Sequence, residues 1–206
     1  MIHEVAHGTV AYKLGDDTAK VMGRLNLNPL NHIDPVGSVF LPLFLISLNL
    51  PVFGWAKPVP YNPYNLKDPK RGAALIGSAG PLSNIFIAIF FGLLSRLIIL
   101  NPATKLLIAQ YAPMGKTEII NSSGEALFFA FMLIIFINIF LAIFNLIPIP
   151  PLDGSKVLFS LLPDRYDNIR KFLEEYGAFI LLLFIFFGIP SMEPIIDIMY
   201  SFIIGI

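Results

Sequence analysis

Three residues near the start of the chain have the types and the spacing of a metal-dependent hydrolase. His3, Glu4 and His7 form an H-E-x-x-H sequence. Residues four apart lie on one face of a helix, so both imidazoles can bind the same ion while the glutamate lies beside the open metal position as a general base. The apolar residues that follow continue a helical pattern, and the sequence predicts a helix over residues 2–14.

A catalytic zinc ion also needs a third protein ligand. The chain has no cysteine, so this ligand must come from a histidine, a carboxylate or a carbonyl group. His32 in a polar turn is one candidate, and Asp153 is the other, because it follows an apolar segment that three prolines interrupt. An aspartate before Gly154 is also typical of a plain turn or a helix N-cap. From the spacing alone, both interpretations of Asp153 stay open.

The composition indicates a membrane protein. Apolar residues make up 56% of the chain, charged residues make up 14%, and the mean hydropathy is +0.74. Soluble domains contain about 25% charged residues, so much of this surface should face lipid. The net charge is zero and no run of basic residues is present, which argues against nucleic acid as a partner.

Long apolar segments organise the rest of the chain. Residues 73–100 and 125–147 each exceed the roughly 20 residues needed to cross a bilayer. A shorter apolar helix is predicted over residues 177–189. The segment 36–53 is interrupted by two prolines, and a full crossing would place the basic segments 15–35 and 57–71 on opposite sides of the membrane, which favours a re-entrant or interfacial segment.

The basic residues predict the orientation in the membrane. Of the 14 lysines and arginines, 11 lie in segments 13–24, 57–71 and 156–171. Positive charge accumulates on the cytoplasmic side of membranes. We therefore expect an all-α, multi-pass integral membrane protein of the inner or plasma membrane, with Asp153 and the active site towards the cytoplasm.

Several spaced motifs resemble one known family. The H-E-x-x-H sequence and the sequence N-x-x-P-x-P-P-L-D-G at residues 145–154 are similar to those of site-2 proteases, which are intramembrane zinc metalloproteases. Segments 19–35, 54–60 and 80–84 also fit the family pattern, and the resemblance extends to about residue 190. It is closest to small, compact members without a PDZ domain. The family then implies a helical bundle in a single membrane domain, residues 1–206.

The resemblance also implies roles for individual residues. Carried over to this sequence, it makes His3, His7 and Asp153 the ligands of one Zn²⁺ ion and Glu4 the general base. Substrates would be membrane proteins with transmembrane helices, in contact with the lipid bilayer. Three residues are expected to bind the substrate: Asn145, Gly54 and Lys57. Gly54 and Lys57 belong to a short extended membrane-associated loop from Phe53 to Pro60. Trp55 is either part of that loop's substrate contact or an interfacial anchor.

Two expectations remain beside this one. A catalytically inactive relative that keeps the fold and binds membrane helices is the alternative function. Only Met1 and Ile2 precede His3, whereas the family pattern has a longer apolar stretch there, so we expect the natural protein to begin further upstream.

Overall fold

Nine α-helices succeed one another in the part of the chain that the computed structural model describes, residues 1–48, 54 and 56–205. Short 3₁₀ turns connect several of them, and a π-helical turn, Pro35–Phe40, leads directly into the third. The helices are α1 (Ile2–Lys13), α2 (Thr18–Val21), α3 (Leu41–Ser47), α4 (Pro69–Ser95), α5 (Pro102–Tyr111), α6 (Ser123–Asn145), α7 (Asp153–Leu161), α8 (Asp167–Phe187) and α9 (Glu193–Ile204).

The long helices α4 and α6 begin at strong N-terminal signals. The Asp68 side chain accepts from the backbone N–H of Arg71 at 3.0 Å, and the residue after Asp68 is a proline, which fits the first position of a helix. At α6, Ser122 accepts from the N–H of Glu125 at 3.3 Å, and the Glu125 carboxylate accepts from the N–H of Asn121 at 2.7 Å. This reciprocal pattern resembles a capping box and fixes the start of α6.

Helices α4 and α6 are long and apolar enough to cross a membrane. A third span is possible by length and composition if α8 and residues 189–204, which meet at a bend of 73°, form one broken crossing. Together with the helical content of the described residues, these spans confirm the predicted all-α membrane protein.

Helix α4 lies at the centre of the packing. It contacts α1 and α7 as well as α6 and α9. The main apolar core lies on the α6 and α9 side, where Ile135 and Ile139 of α6 are fully buried with Ala88 of α4. The α1 and α7 side is more polar, and the candidate site lies there.

Several helix bounds differ from the prediction. The two spans predicted over 73–100 and 125–147 are α4 and α6. Helix α4 begins earlier because Asp68 caps it and Pro69 is its first residue, and it ends earlier because turns follow Ser95. The helix predicted over 177–189 is the second half of α8, which begins at Asp167. Charged pairs four residues apart extend it, with Lys171 and Asp167 3.1 Å apart. Helix α5 lies in the connection between the two spans, where no long apolar segment predicts a helix.

The predicted re-entrant segment 36–53 lies partly outside the described residues. Its described part is the π-helical turn and α3, whose apolar side chains are largely exposed, as at Phe40 and Leu43. Residues 49–53 and Trp55 are outside the described residues, and the re-entrant path therefore stays a prediction.

Candidate metal centre

Helix α1 presents both histidines of the H-E-x-x-H motif to α4. His7 is buried, and its Nδ1 lies 2.6 Å from the carbonyl oxygen of Ile76 on α4. A carbonyl oxygen can only accept, so Nδ1 must carry the proton. In the neutral imidazole, this leaves Nε2 with a free lone pair. The backbone of α4 therefore selects the tautomer in which His7 can bind a metal through Nε2.

Asp153 reaches the same point from the other end of the chain. It is the first residue of α7 and is buried. Its Oδ2 lies 3.0 Å from Nε2 of His3 and 3.0 Å from Nε2 of His7, and the two Nε2 atoms are 3.0 Å apart. Three acceptor-capable atoms thus form a nearly equilateral triangle.

This triangle fits a zinc ion. A tetrahedron with bonds of about 2.0–2.1 Å has ligand-to-ligand edges of about 3.3–3.4 Å, close to the 3.0 Å separations among His3, His7 and Asp153. One carboxylate and two imidazoles are also a common ligand set of catalytic zinc. Three protein ligands on one face would leave the fourth position open for water.

Two glycines let α4 approach these ligands closely. A Cβ atom on Gly80 would lie 2.5 Å from Nε2 of both His3 and His7. A Cβ atom on Gly77 would lie 2.9 Å from the backbone oxygen of Asp153. Real Cβ atoms are not found this close to other atoms, so side chains at these two positions would displace the ligands. The groups packed closely against α4 at these two glycines are therefore those of the candidate metal ligands.

Asn84 supports the other histidine. Its buried side-chain nitrogen lies 3.2 Å from Nδ1 of His3. A 180° rotation of the amide would present its oxygen instead, which accepts from Nδ1–H and leaves Nε2 of His3 free for a metal. A partner of this kind on the second nitrogen is the usual companion of a metal-binding imidazole.

Glu4 lies in the same group. The possible ligand atoms of His3, Glu4 and His7 all lie within 4.8 Å of one another. Oε2 of Glu4 accepts from the backbone N–H of Val59 at 3.0 Å. Gly8 makes this contact possible, because a Cβ atom there would lie 2.7 Å from the Val59 side chain. The carboxylate is therefore held beside the triangle by a residue of the predicted substrate loop.

Burial and hydrogen bonds act in opposite directions on Asp153. Burial alone would raise the pKa of its carboxyl. When the two imidazoles are protonated, their hydrogen bonds to the carboxylate and the charge of His7, together with the charge of Lys156, outweigh burial and hold this pKa well below its usual range. Asp153 is therefore a carboxylate at neutral pH, the form that binds metals.

His32 lies elsewhere. Its Nε2 lies 2.9 Å from the carbonyl oxygen of Asn26, and its own carbonyl accepts from the N–H of Lys57 at 2.9 Å. It braces two loop segments. Of the two candidates for the third position, the structure brings Asp153 and not His32 to the histidine pair.

The three residues expected to bind substrate lie at the periphery. Asn145 ends α6, is partly exposed, and donates from its amide to the carbonyl of Leu141 at 2.9 Å. Gly54 is exposed, and a Cβ atom there would overlap the carbonyl oxygen of Gly37. The Lys57 side chain is exposed as well. None of these contacts bears on a substrate directly, and their roles stay predictions.

A comparison with known families decides the ancestry of the chain. The family model described as Peptidase family M50 matches residues 1–188. The chain belongs to this family. The match confirms the resemblance to site-2 proteases, and the family together with its named relatives makes the chain a zinc metalloprotease.

Relatives of this M50 peptidase cover different shares of its length. The "Putative zinc metalloprotease YwhC" of Bacillus subtilis (strain 168) is 38% identical over 182 residues, which is 88% of this chain and 74% of the relative. "Zinc metalloprotease MJ0392" of Methanocaldococcus jannaschii is 30% identical over 139 residues, 66% of this chain and 34% of the relative. "Putative zinc metalloprotease Rip2" of Mycolicibacterium smegmatis is 24% identical, over 88% of this chain and 61% of the relative. No solved structure matches.

Proposed function

We propose that this M50 peptidase is an intramembrane zinc endopeptidase, which hydrolyses peptide bonds in or near the transmembrane segments of other membrane proteins. The observation that carries the proposal is the triangle formed by Nε2 of His3, Nε2 of His7 and Oδ2 of Asp153, with sides of 3.0 Å. Glu4 lies in the same group. Imidazoles and a carboxylate that converge between apolar helices are expensive in a membrane protein unless they bind an ion or take part in chemistry.

In this proposal, His3, His7 and Asp153 hold one Zn²⁺ ion per chain. When bound, the ion would lower the pKa of a bound water molecule towards neutrality and polarise the scissile carbonyl. Ile76 and Asn84 hold the two imidazoles from behind through their second ring nitrogens. The site would therefore be formed before the substrate arrives.

Glu4 is the general base of the proposed reaction. Its carboxylate takes a proton from the attacking water and later delivers it to the leaving amine. The N–H of Val59 holds Oε2 at 3.0 Å, and the other oxygen is left to exchange the proton. Val59 belongs to the loop proposed to bind substrate. A movement of that loop would therefore also change the position of the Glu4 carboxylate.

The substrate would bind as an extended strand along residues 54–60, near Gly54 and Lys57. The N–H groups of Lys57 and Val59 point into the enzyme, towards His32 and Glu4, an alternation typical of extended backbone. The residues at positions 58 and 60 are prolines and have no N–H. The free edge of this segment therefore offers carbonyl acceptors there, and an unwound substrate would donate its own N–H groups to them.

Asn145 is proposed to complete substrate binding. It lies eight residues before Asp153 in the sequence, on the last turn of α6, and is partly exposed. The amide nitrogen bonds within its own helix, so the amide oxygen can accept from a substrate N–H.

The membrane setting supports the same reaction. The proposal has α4 and α6 crossing the bilayer in a multi-pass protein of the inner or plasma membrane, with the metal site towards the cytoplasm. Most basic residues lie in the connections assigned to that side. Peptide bonds of a membrane helix are shielded by lipid and by their own hydrogen bonds, so a protease there must unwind its substrate and supply water.

The test is Glu4→Gln in the full chain, reconstituted in liposomes with a single-span model substrate. Cleavage should fall by about 10²–10⁴-fold, the usual contribution of a general base, while metal analysis still finds one zinc per chain. Glu118→Gln is the matched control, because Glu118 is exposed outside the site. Cleavage retained in the Glu4 variant would overturn the mechanism. A wild-type chain that binds membrane helices without zinc or cleavage would favour the alternative, an inactive relative.

A further inference from the structure

The two oxygens of the Asp153 carboxylate have different neighbours. Oδ2 faces the histidine nitrogens at 3.0 Å. Oδ1 accepts from Nζ of Lys156 at 2.9 Å. Lys156 lies three residues further along α7 and is about one third exposed, whereas the Asp153 side chain is 8% exposed. An ammonium group therefore covers the oxygen that does not face the candidate metal position.

Neighbouring elements fix where this ammonium lies. Nζ of Lys156 lies 5.8 Å from the centre of the Tyr61 ring, within the range of a cation–π contact. On the α4 side, a Cβ atom on Gly77 would lie 3.0 Å from Cβ of Lys156, so α4 confines the base of the side chain. The lysine also lines a cleft of about 500 Å³ between α4, α7 and α8, through which solvent reaches it.

We propose that Lys156 is a positioning residue that restricts Asp153 to metal binding through a single oxygen. This inference rests on the proposed zinc site. Carboxylates bind metals through one oxygen or through both. With Oδ1 engaged by the ammonium group of Lys156, Oδ2 alone remains for the ion.

The restriction has a consequence for the open metal position. A catalytic zinc site needs a position that the protein leaves to water. If Asp153 bound through both oxygens, the second oxygen would be a fifth ligand and would crowd that position. Lys156 would therefore keep the site open for water without touching the substrate or the metal itself.

The experiment replaces zinc with Co²⁺ in the purified full chain and records the visible absorption of the bound ion. Cobalt with four ligands absorbs more strongly than cobalt with five, so the spectrum reports the number of bound ligand atoms. In Lys156→Met we expect a weaker, five-coordinate spectrum at an unchanged stoichiometry of one cobalt per chain. Lys156→Arg keeps a cation near Oδ1 and should restore the wild-type spectrum.

Lys171→Met is the matched control, because Lys171 is an exposed lysine on α8 that pairs with Asp167 away from the site. A wild-type spectrum in Lys156→Met would overturn the proposal. Loss of cobalt binding in that variant would overturn it too, because Lys156 would then be needed to hold the carboxylate at all.

Two further outcomes are a Lys156→Met variant that does not fold and a wild-type chain that binds no cobalt. If Lys156→Met does not purify as a folded protein, Lys156→Leu provides the same measurement, since it also removes the group that donates to Oδ1. If the wild-type chain itself binds no cobalt, the proposed zinc site fails, which is distinguishable from a failure of the role of Lys156.

Discussion

The two halves of α4 contact their neighbours by different means. In the first half, Gly77 and Gly80 bring the helix backbone against polar groups of α7 and α1, including both histidines. In the second half, Ala88 and Gly92 lie against α6 and α9, where the neighbours are apolar side chains such as Ile203. The first half positions ligands, and the second half contributes to an apolar core.

The two halves of α4 should differ in how well they tolerate a larger side chain. An apolar core can shift aliphatic side chains to accept a small change in volume, usually at a cost of about 1–3 kcal/mol. A metal site cannot adapt in this way, because ligand atoms must stay within a few tenths of an ångström of their positions. The same substitution should therefore have different consequences in the two halves.

The largest expected effect is that of Gly80→Ala. The new Cβ atom would lie 2.5 Å from Nε2 of His3 and of His7, so the imidazoles must move. We expect zinc affinity, measured by competition with a chelator, to fall by about 100-fold or more, at or beyond the upper end of the effects seen for residues that support metal ligands. Cleavage should be lost with it.

Gly92→Ala is the matched variant in the other half. Its Cβ atom would lie 2.5 Å from Cγ2 of Ile203, which is as close as the contact at Gly80. Here we expect the free energy of unfolding to fall by about 1–3 kcal/mol, measured as a lower thermal unfolding temperature in detergent. Zinc affinity should stay within about threefold of wild type. Equal loss of zinc in both variants would contradict the contrast between the halves.

The next effect concerns the loop that packs on the polar half. Asp16 is fully buried, and its carboxylate accepts hydrogen bonds from Thr18, from the N–H of Asn62 at 2.7 Å and from the side chain of Asn65 at 2.7 Å. Asp16→Asn should lower the free energy of unfolding by about 1–3 kcal/mol. Thermal unfolding in detergent measures it, and Asp17→Asn, at an exposed neighbour, is the control.

The stabilisation by Asp16 should also depend on pH. Burial raises the pKa of this carboxyl, but the hydrogen bonds from Thr18, Asn62 and Asn65 outweigh burial and lower it below the ordinary 3.8. A lowered pKa means that the contribution is complete above about pH 4 and is lost as the pH falls through the folded-state value. The difference between wild type and Asp16→Asn should shrink below pH 4, and a constant difference would argue against the ionised carboxylate.

The smallest expected effect is that of Asn145→Ala. Loss of one hydrogen bond to the substrate costs about 0.5–1.5 kcal/mol, so KM should rise by about 2–10-fold with little change in kcat. Asn138→Ala is the control, because Asn138 makes the same bond to the carbonyl four residues earlier in α6, at 2.8 Å. An equal rise of KM in both variants would assign Asn145 to helix packing.

Local patterns in the sequence were sufficient for the parts of the site that lie close together along the chain. His3, Glu4 and His7 are related by the periodicity of one helix, so their convergence follows from local geometry. The long apolar segments likewise predict α4 and α6, because the length of a span depends on bilayer thickness. Helix α5 was missed because it lacks such a segment.

Contacts between distant residues were decided only by the tertiary structure. Spacing left Asp153 and His32 open as third ligands, and the choice depends on a contact between residues 150 positions apart. The spacing of Gly77 and Gly80 places them on one face of α4, but it does not reveal which atoms of other helices they contact. The same holds for Lys156: its distance from Asp153 along α7 is visible in the sequence, but the sequence does not say which oxygen faces the histidines. Helical periodicity is a local property, whereas the packing of α1 and α7 on α4 depends on the shapes of all three helices together.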